Sequence, residues 1–274
     1  MRLHPTAAYP DHPEQPERLA VLRGESVQRI ASREQLARAH TIAHLELLAS
    51  IERPTLVDAD TVASETSWAA VQLAAGIALE AVDRGGFALV RPPGHHAFAD
   101  RAMGFCLVNN VAVAARYAQA ELALERVAIV DFDVHHGNGT EAIFRDDPSV
   151  LFVSLHCWPF YPGTGGPGTS DETTLNVPLS RGSGDGDYAR AFAEQVEPAV
   201  RAFRPDLVLV SAGFDAHVED PFGAMQLSDA CFRGLAARCA ALGPRVAAVL
   251  EGGYNIETLP RLVEAARQGF SSAA

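Results

Sequence analysis

The sequence predicts a single α/β domain, a central and mostly parallel β-sheet covered by helices on both faces. Three observations predict it. Short apolar runs alternate along the chain with longer stretches of helical periodicity. The runs are apolar throughout instead of at every second residue, as strands buried on both faces are. Four of the runs are followed at once by histidines, aspartates or a tyrosine.

The strands are expected at 87–90, 127–130, 150–155, 207–211 and 246–250, and the helices at 68–83, 111–124, 188–203 and 229–242. No repeat, low-complexity tract or linker divides the 274 residues, so one domain spans the chain. With 48% hydrophobic residues it can bury a sizeable core, and its net charge of −12 disfavours nucleic acid and anionic membranes as partners. Cys106, Cys157, Cys231 and Cys239 form no CxxC pair, so neither a zinc finger nor a disulfide framework is expected. With no apolar leader and no run of about 20 apolar residues, the expected compartment is the reducing cytoplasm.

The segments just past the strands carry the chemistry. After 90 comes Arg91-Pro92-Pro93-Gly94-His95-His96, and after 130 comes Asp131-Phe132-Asp133-Val134-His135-His136-Gly137. After 211 comes Ala212-Gly213-Phe214-Asp215, and after 250 comes Glu251-Gly252-Gly253-Tyr254. Open parallel sheets bind ligands at the carboxyl ends of their strands, so these residues collect at one edge.

Asp133 and His135 are two apart, and on extended chain such residues point to one side. Zinc accepts both side-chain types, and a catalytic zinc keeps three protein ligands and one open position. Asp215, after another strand, is the natural third. His95 and His96 suit proton transfer near neutrality, with Asp131 and Asn138 available to fix their tautomers. The pair also fits a bland reading, one histidine buried and one exposed. Tyr254 follows two glycines and can swing over a substrate to donate to an oxyanion; a core tyrosine at a turn is the alternative.

On 91–97, Gly104-Phe105-Cys106, 131–139, Ser154-Leu155-His156, Pro162-Gly163-Thr164-Gly165, 211–216 and 250–255, the chain resembles the histone deacetylase and acetylpolyamine amidohydrolase family. These segments keep family order from about residue 12 to near the C-terminus. The resemblance implies the arginase-like α/β fold and zinc on Asp133, His135 and Asp215. It implies His96 as general base and then acid, His95 as its charged or hydrogen-bonding partner, and Tyr254 as oxyanion stabiliser. It also implies a potassium ion near the zinc, on Asp131, Asp133 and His135 with Ser154 and Leu155. Gly104, Phe105 and Tyr161 resemble the tunnel around an acyl-lysine stem.

Asn138 stands where class I eukaryotic members carry Asp; it and 250–255 look class II. Polyamine deacetylases of that class carry a glutamate seven residues after the third ligand, where this chain has Phe222. That tilts the expectation toward acylated lysine in a peptide or protein, with an acetylated polyamine or other amine as the alternative. Phe222 packed under the Asp220-Pro221 turn, away from substrate, is the bland reading. Asp58 and Asp60 are candidates for the rim. Arg18 reads as a surface arginine, or as a residue near an acetate exit. Members usually begin with a strand before the segment matched here by 12–18; residues 1–11 leave little room for it, so that strand is expected to be missing. A ureohydrolase would need Asp-x-His-x-Asp and a second Asp just beyond Asp215, where Ala216 and His217 stand. A non-catalytic acyl-lysine reader is disfavoured by the intact histidines, tyrosine and ligands.

Overall fold

The computed structural model describes residues 12–272. The missing strand expected before 12–18 concerns residues outside those described. A small antiparallel pair, β1 (Thr55–Leu56) and β2 (Val62–Ala63), precedes the main sheet. That sheet holds β3 (Phe87–Ala88), β4 (Val127–Asp131), β5 (Val150–Cys157), β6 (Thr174–Leu179), β7 (Leu207–Ala212) and β8 (Val246–Leu250). Its order is β3-β8-β7-β4-β5-β6, and every pair is parallel.

Side-chain alternation along each strand divides the interior in two. Val127, Ile129, Leu207 and Leu209 face a core filled by α4 (Ser67–Arg84) and α5 (Asn110–Leu122). Ala128, Val130, Val208 and Val210 face the other, built from α7 (Asp185–Ala191), α8 (Glu197–Phe203), α9 (Asp229–Ala240) and α10 (Leu259–Ser271). Each fully buried valine, leucine or isoleucine contributes roughly 1.5–3 kcal/mol. Both faces need apolar residues, so the central strands are apolar throughout.

All five expected strands and four helical stretches are present. The helix expected over 188–203 is three pieces: α7, a π-turn over Phe192–Val196, and α8. Pro198 stands at the start of α8 and has no N–H to close an ordinary turn. The sequence periodicity did not reveal β6, an edge strand carrying Asn176 and Pro178. Nor did it reveal α6 (Asn138–Phe144), α10, or the short helices α1 (Glu17–Ala20), α2 (Arg33–Ala37) and α3 (Ile42–Ala49). The four cysteines are unpaired. Among the described residues no helix is long and apolar enough to cross a membrane.

Two buried histidines fasten the loop that leads into α5. His40 Nδ1 lies 3.0 Å from the Phe98 carbonyl, and its Nε2 accepts from Asn109 N at 2.9 Å. His44 Nε2 donates to the Leu107 carbonyl at 2.8 Å. Burial, with His44 beside it, lowers the His40 pKa to about 3. The unfolded histidine titrates near 6.5, so between those values the unfolded chain binds the extra proton. Stability from His40 is therefore complete above about pH 6.5 and is lost as pH falls toward 3. Below pH 6.5 the wild type should lose stability up to about 1.4 kcal/mol per pH unit more steeply than His40→Gln. Urea midpoints from pH 7 to pH 5 check this; parallel slopes would show that His40 does not carry the proton.

Candidate active site

Strands β4 and β7 pair in register through Asp131 and Ser211, which sets the segments after them side by side. Asp133 and His135 follow β4, and Asp215 follows β7. His135 Nδ1 lies 3.0 Å from Asp133 Oδ1 and 3.1 Å from Asp215 Oδ2. One ligand atom from each of the three residues falls within 4.8 Å of the others. A tetrahedral zinc with arms of ~2.0 Å sets its donors roughly 3.3 Å apart, which this spacing fits. Space is cleared by glycine: a Cβ on Gly252 would stand 2.1 Å from Asp215 Oδ2, and one on Gly213 would stand 2.1 Å from Asp133 Oδ2.

The electrostatics suit a cation. Burial and the charge of Asp133 push Asp215 up to about 7. Burial opposes charging His135, but Asp133 and Asp215 outweigh it and raise its pKa to about 10. Two acidic side chains thus crowd one imidazole in the interior, and the repulsion between Asp133 and Asp215 is unrelieved. A dication would neutralise the carboxylates and displace the imidazole proton, since a histidine ligand must be neutral.

Both tandem histidines are buried, which excludes the reading of one in and one out. His95 Nδ1 lies 2.9 Å from Asp131 Oδ2, and His96 Nδ1 donates to Asn138 Oδ1 at 2.7 Å. These are the partners expected from sequence. Burial works against a charged His95, but Asp131 and Asp133 raise its pKa to about 10. Burial, then the positive His95 and His135, pushes His96 well below the usual histidine range. One ring is therefore a cation and its neighbour a neutral base with Nε2 free of its proton. Sequence reasoning missed Glu251, whose carboxylate accepts from Gly94 N at 2.6 Å and His95 N at 3.2 Å and so sets the tandem turn.

Tyr254 stands two residues after Gly252, whose N–H donates to Asp133 Oδ2 at 2.8 Å. Burial raises its pKa well above the usual range, and Asp215 and Asp133 add to the rise, so the hydroxyl keeps its proton. Its ring meets Phe105 edge-on at 6.0 Å and Phe222 at 5.3 Å. Arg18 lies over the same ring at 4.8 Å and is fully buried, which corrects its reading as a surface arginine. Phe222 is 45% exposed with its ring against that of Tyr254, so it is not packed under the Asp220-Pro221 turn. Tyr161 meets His96 edge-on at 5.2 Å. Gly104 (φ 56°) touches His96, and Phe105 holds φ 67°, a conformation rare for a bulky residue. No sequence signal pointed to Phe160, which stacks on His135 at 5.2 Å. Ser154 and Leu155 are buried on β5, with Ser154 in register with Asp131.

Two carboxylates and an imidazole for a metal, a neutral imidazole and a protonated phenol are gathered on the loops past one edge of the sheet. Such a set can polarise a carbonyl, take a proton from water and steady an oxyanion.

Comparisons with known proteins agree. The model for "Histone deacetylase domain" matches residues 12–270. "Histone deacetylase 10, chloroplastic" of Oryza sativa subsp. japonica is 47% identical over 73% of this chain and 50% of its own. "Polyamine deacetylase HDAC10" of Mus musculus is 46% identical over 70% of this chain and 32% of its own. The chain thus matches half or less of the length of these relatives. Among solved structures, "Crystal Structure of HDA15 HD domain" superposes with a TM-score of 0.91 at 38% identity, covering 96% of this chain and 83% of that one. The sheet, the converging side chains and a family match across nearly the whole length have one explanation: this chain belongs to the histone deacetylase family.

Proposed function

We propose that this chain is a zinc-dependent amidohydrolase that removes acetyl, or another short acyl group, from the lysine side chain of a peptide or protein. The observation that carries the reading is the grouping of Asp133, His135 and Asp215 with the neutral His96 and the protonated Tyr254 on the loops past one edge of the sheet. Asp133, His135 and Asp215 would hold zinc, one neutral and two anionic donors with a position left for substrate. Bound there, zinc supplies a Lewis acid that polarises the amide carbonyl and acidifies water.

The remaining work falls to side chains. Tyr254 donates its hydroxyl hydrogen bond to the carbonyl oxygen as charge develops on it. His96 Nε2 takes a proton from the attacking water while the water oxygen bonds to the carbonyl carbon. The C–N bond then breaks, and His96 returns that proton to the leaving amine. Asn138 holds the His96 tautomer. Asp131 holds His95 as a cation, which favours the neutral form of its neighbour. Gly104, Phe105 and Tyr161 wall the tunnel, and Phe222 offers an apolar rim. A potassium ion is proposed on Asp131 and Asp133 with His135, Ser154 and Leu155, because Asp131 and Ser154 present buried hard oxygens in register across β4 and β5.

An acetylated polyamine is the second reading. Beyond the polyamine deacetylase among its relatives, one feature favours it: Asp60 and Asp58 act on Tyr161, adding to the effect of burial in raising its pKa. Carboxylates at that mouth would attract a secondary ammonium. kcat/KM for acetyl-lysine peptides and for N-acetylputrescine, on zinc-loaded enzyme with and without chelator, decides between them. The peptide should lead, and a tenfold lead for the polyamine would overturn the assignment. Phe222→Glu should move that ratio about tenfold toward the polyamine, because one apolar or cation–π contact becomes an ion pair worth ~1–2 kcal/mol at a partly buried rim.

A further inference from the structure

We infer that Asp220 is the positioning residue for Tyr254: its carboxylate ties the peptide that aims the phenol to the loop carrying Asp215 and Phe222. The inference rests on the reading of Tyr254 given above.

The geometry concerns the Gly253–Tyr254 peptide. On one side Arg18 Nε donates to the Gly253 carbonyl at 2.7 Å. On the other, Tyr254 N donates to Asp220 Oδ2 at 2.7 Å, and Asn255 N reaches the same oxygen at 3.3 Å. A buried cation and a carboxylate therefore grip one peptide unit from opposite edges. Gly253 holds φ 116°, where other residues are strained, so the turn has no side chain of its own to set it. The direction of the Tyr254 Cα–Cβ bond follows from the plane of that unit.

Asp220 has a second hold. Its Oδ1 accepts from Phe222 N at 2.9 Å. Asn255 Nδ2 donates to the Glu219 carbonyl at 2.8 Å and strengthens the same link. The two loops touch at their tips, where Phe222 and Tyr254 meet edge-on. One carboxylate thus fixes the oxyanion donor relative to the rim. Hydrogen bonds to a charged acceptor are the stronger kind, and removing this acceptor leaves three backbone donors without their partner.

A positioning residue acts through the group that it positions, so the test is a double-mutant cycle. Asp220→Ala should lower kcat about 10- to 100-fold, with KM within about twofold and zinc content unchanged. In the Tyr254→Phe background the same change should lower kcat less than about threefold, because the hydroxyl it aimed is gone. A loss in that background as large as in the wild type overturns the inference, as does unchanged kcat in the single variant. A readout independent of turnover comes from 3-fluorotyrosine labelling of the five tyrosines. The Tyr254 resonance, identified by its disappearance in Tyr254→Phe, should broaden or split in Asp220→Ala while the others stay in place. An unmoved Tyr254 resonance also overturns the inference. Should the alanine variant fail to fold, Asp220→Asn takes its place in both measurements, since its amide oxygen can serve Tyr254 N or Phe222 N but not both. If instead Tyr254→Phe alone keeps full kcat, the role of Tyr254 in catalysis fails, and the fluorine spectrum still reports on its anchoring.

Discussion

Asp215→Ala should retain the fold, lose stoichiometric zinc and lose hydrolysis by at least about 10³-fold, the several kcal/mol that a Lewis acid contributes at an acyl transition state. The substitution leaves His135 and Asp133, a two-donor site too weak for a catalytic metal. It also removes the acceptor that Val134 N meets at 3.0 Å on Asp215 Oδ1, so the loop after β4 loosens where the other two donors sit. Metal analysis after dialysis and a thermal shift with added zinc are the measurements. The wild type should gain melting temperature with zinc, because a ligand bound only by the native state stabilises it, and the variant should gain none. Full zinc content in Asp215→Ala would remove Asp215 from the ligand set.

His96→Ala should bind zinc as the wild type does and yet lose about 10²–10⁴ in kcat, the range for a general acid–base group. The separation follows from position. His96 touches Asn138 and faces Tyr161 and His135 edge-on, and it is outside the three donors. His95→Ala should lose less, since His95 stands one ring behind, at 4.0 Å between centroids. Rates measured at saturating substrate with the zinc content of each variant in hand will separate metal loss from base loss. A His96 variant with wild-type kcat would assign the proton transfer elsewhere.

The ligands, the histidine pair and its two partners were legible because each lies a few residues past an apolar run that could only be a buried strand. A strand end localises the residues after it, so groups far apart in sequence could be placed at one edge. Glu251, Asp220, Arg18 and Phe160 were not legible as they act. Many of their partners are backbone groups or rings, some of which meet them across 34 to 235 positions of sequence, and a carboxylate that accepts backbone N–H groups looks in sequence like any surface acid. Arg18 reads as exposed because arginine usually is; here two carbonyls, the Glu14 carboxylate and a ring fill its surroundings. β6 was hidden for the opposite reason, since an edge strand can carry Asn and Pro that a central strand cannot.

The strand order has a consequence for how the chain is made. β7 enters the sheet between β4 and β8, and β8 enters between β7 and β3, although both are synthesised after β6. The bond from Gly252 N to Asp133 Oδ2 closes a span of 119 residues. On the ribosome, the first half of this sequence therefore carries Asp133 and His135 just past β4, before either neighbour of that strand has been made. No metal can template that half, and the open flank of β4 stays exposed until the last quarter of the chain emerges. Such long-range parallel pairing is slow and prone to aggregation. Shortening the C-terminus ahead of β7 should thus yield a chain that aggregates, and adding zinc during synthesis should not rescue it, because Asp215 is then missing from the ligand set.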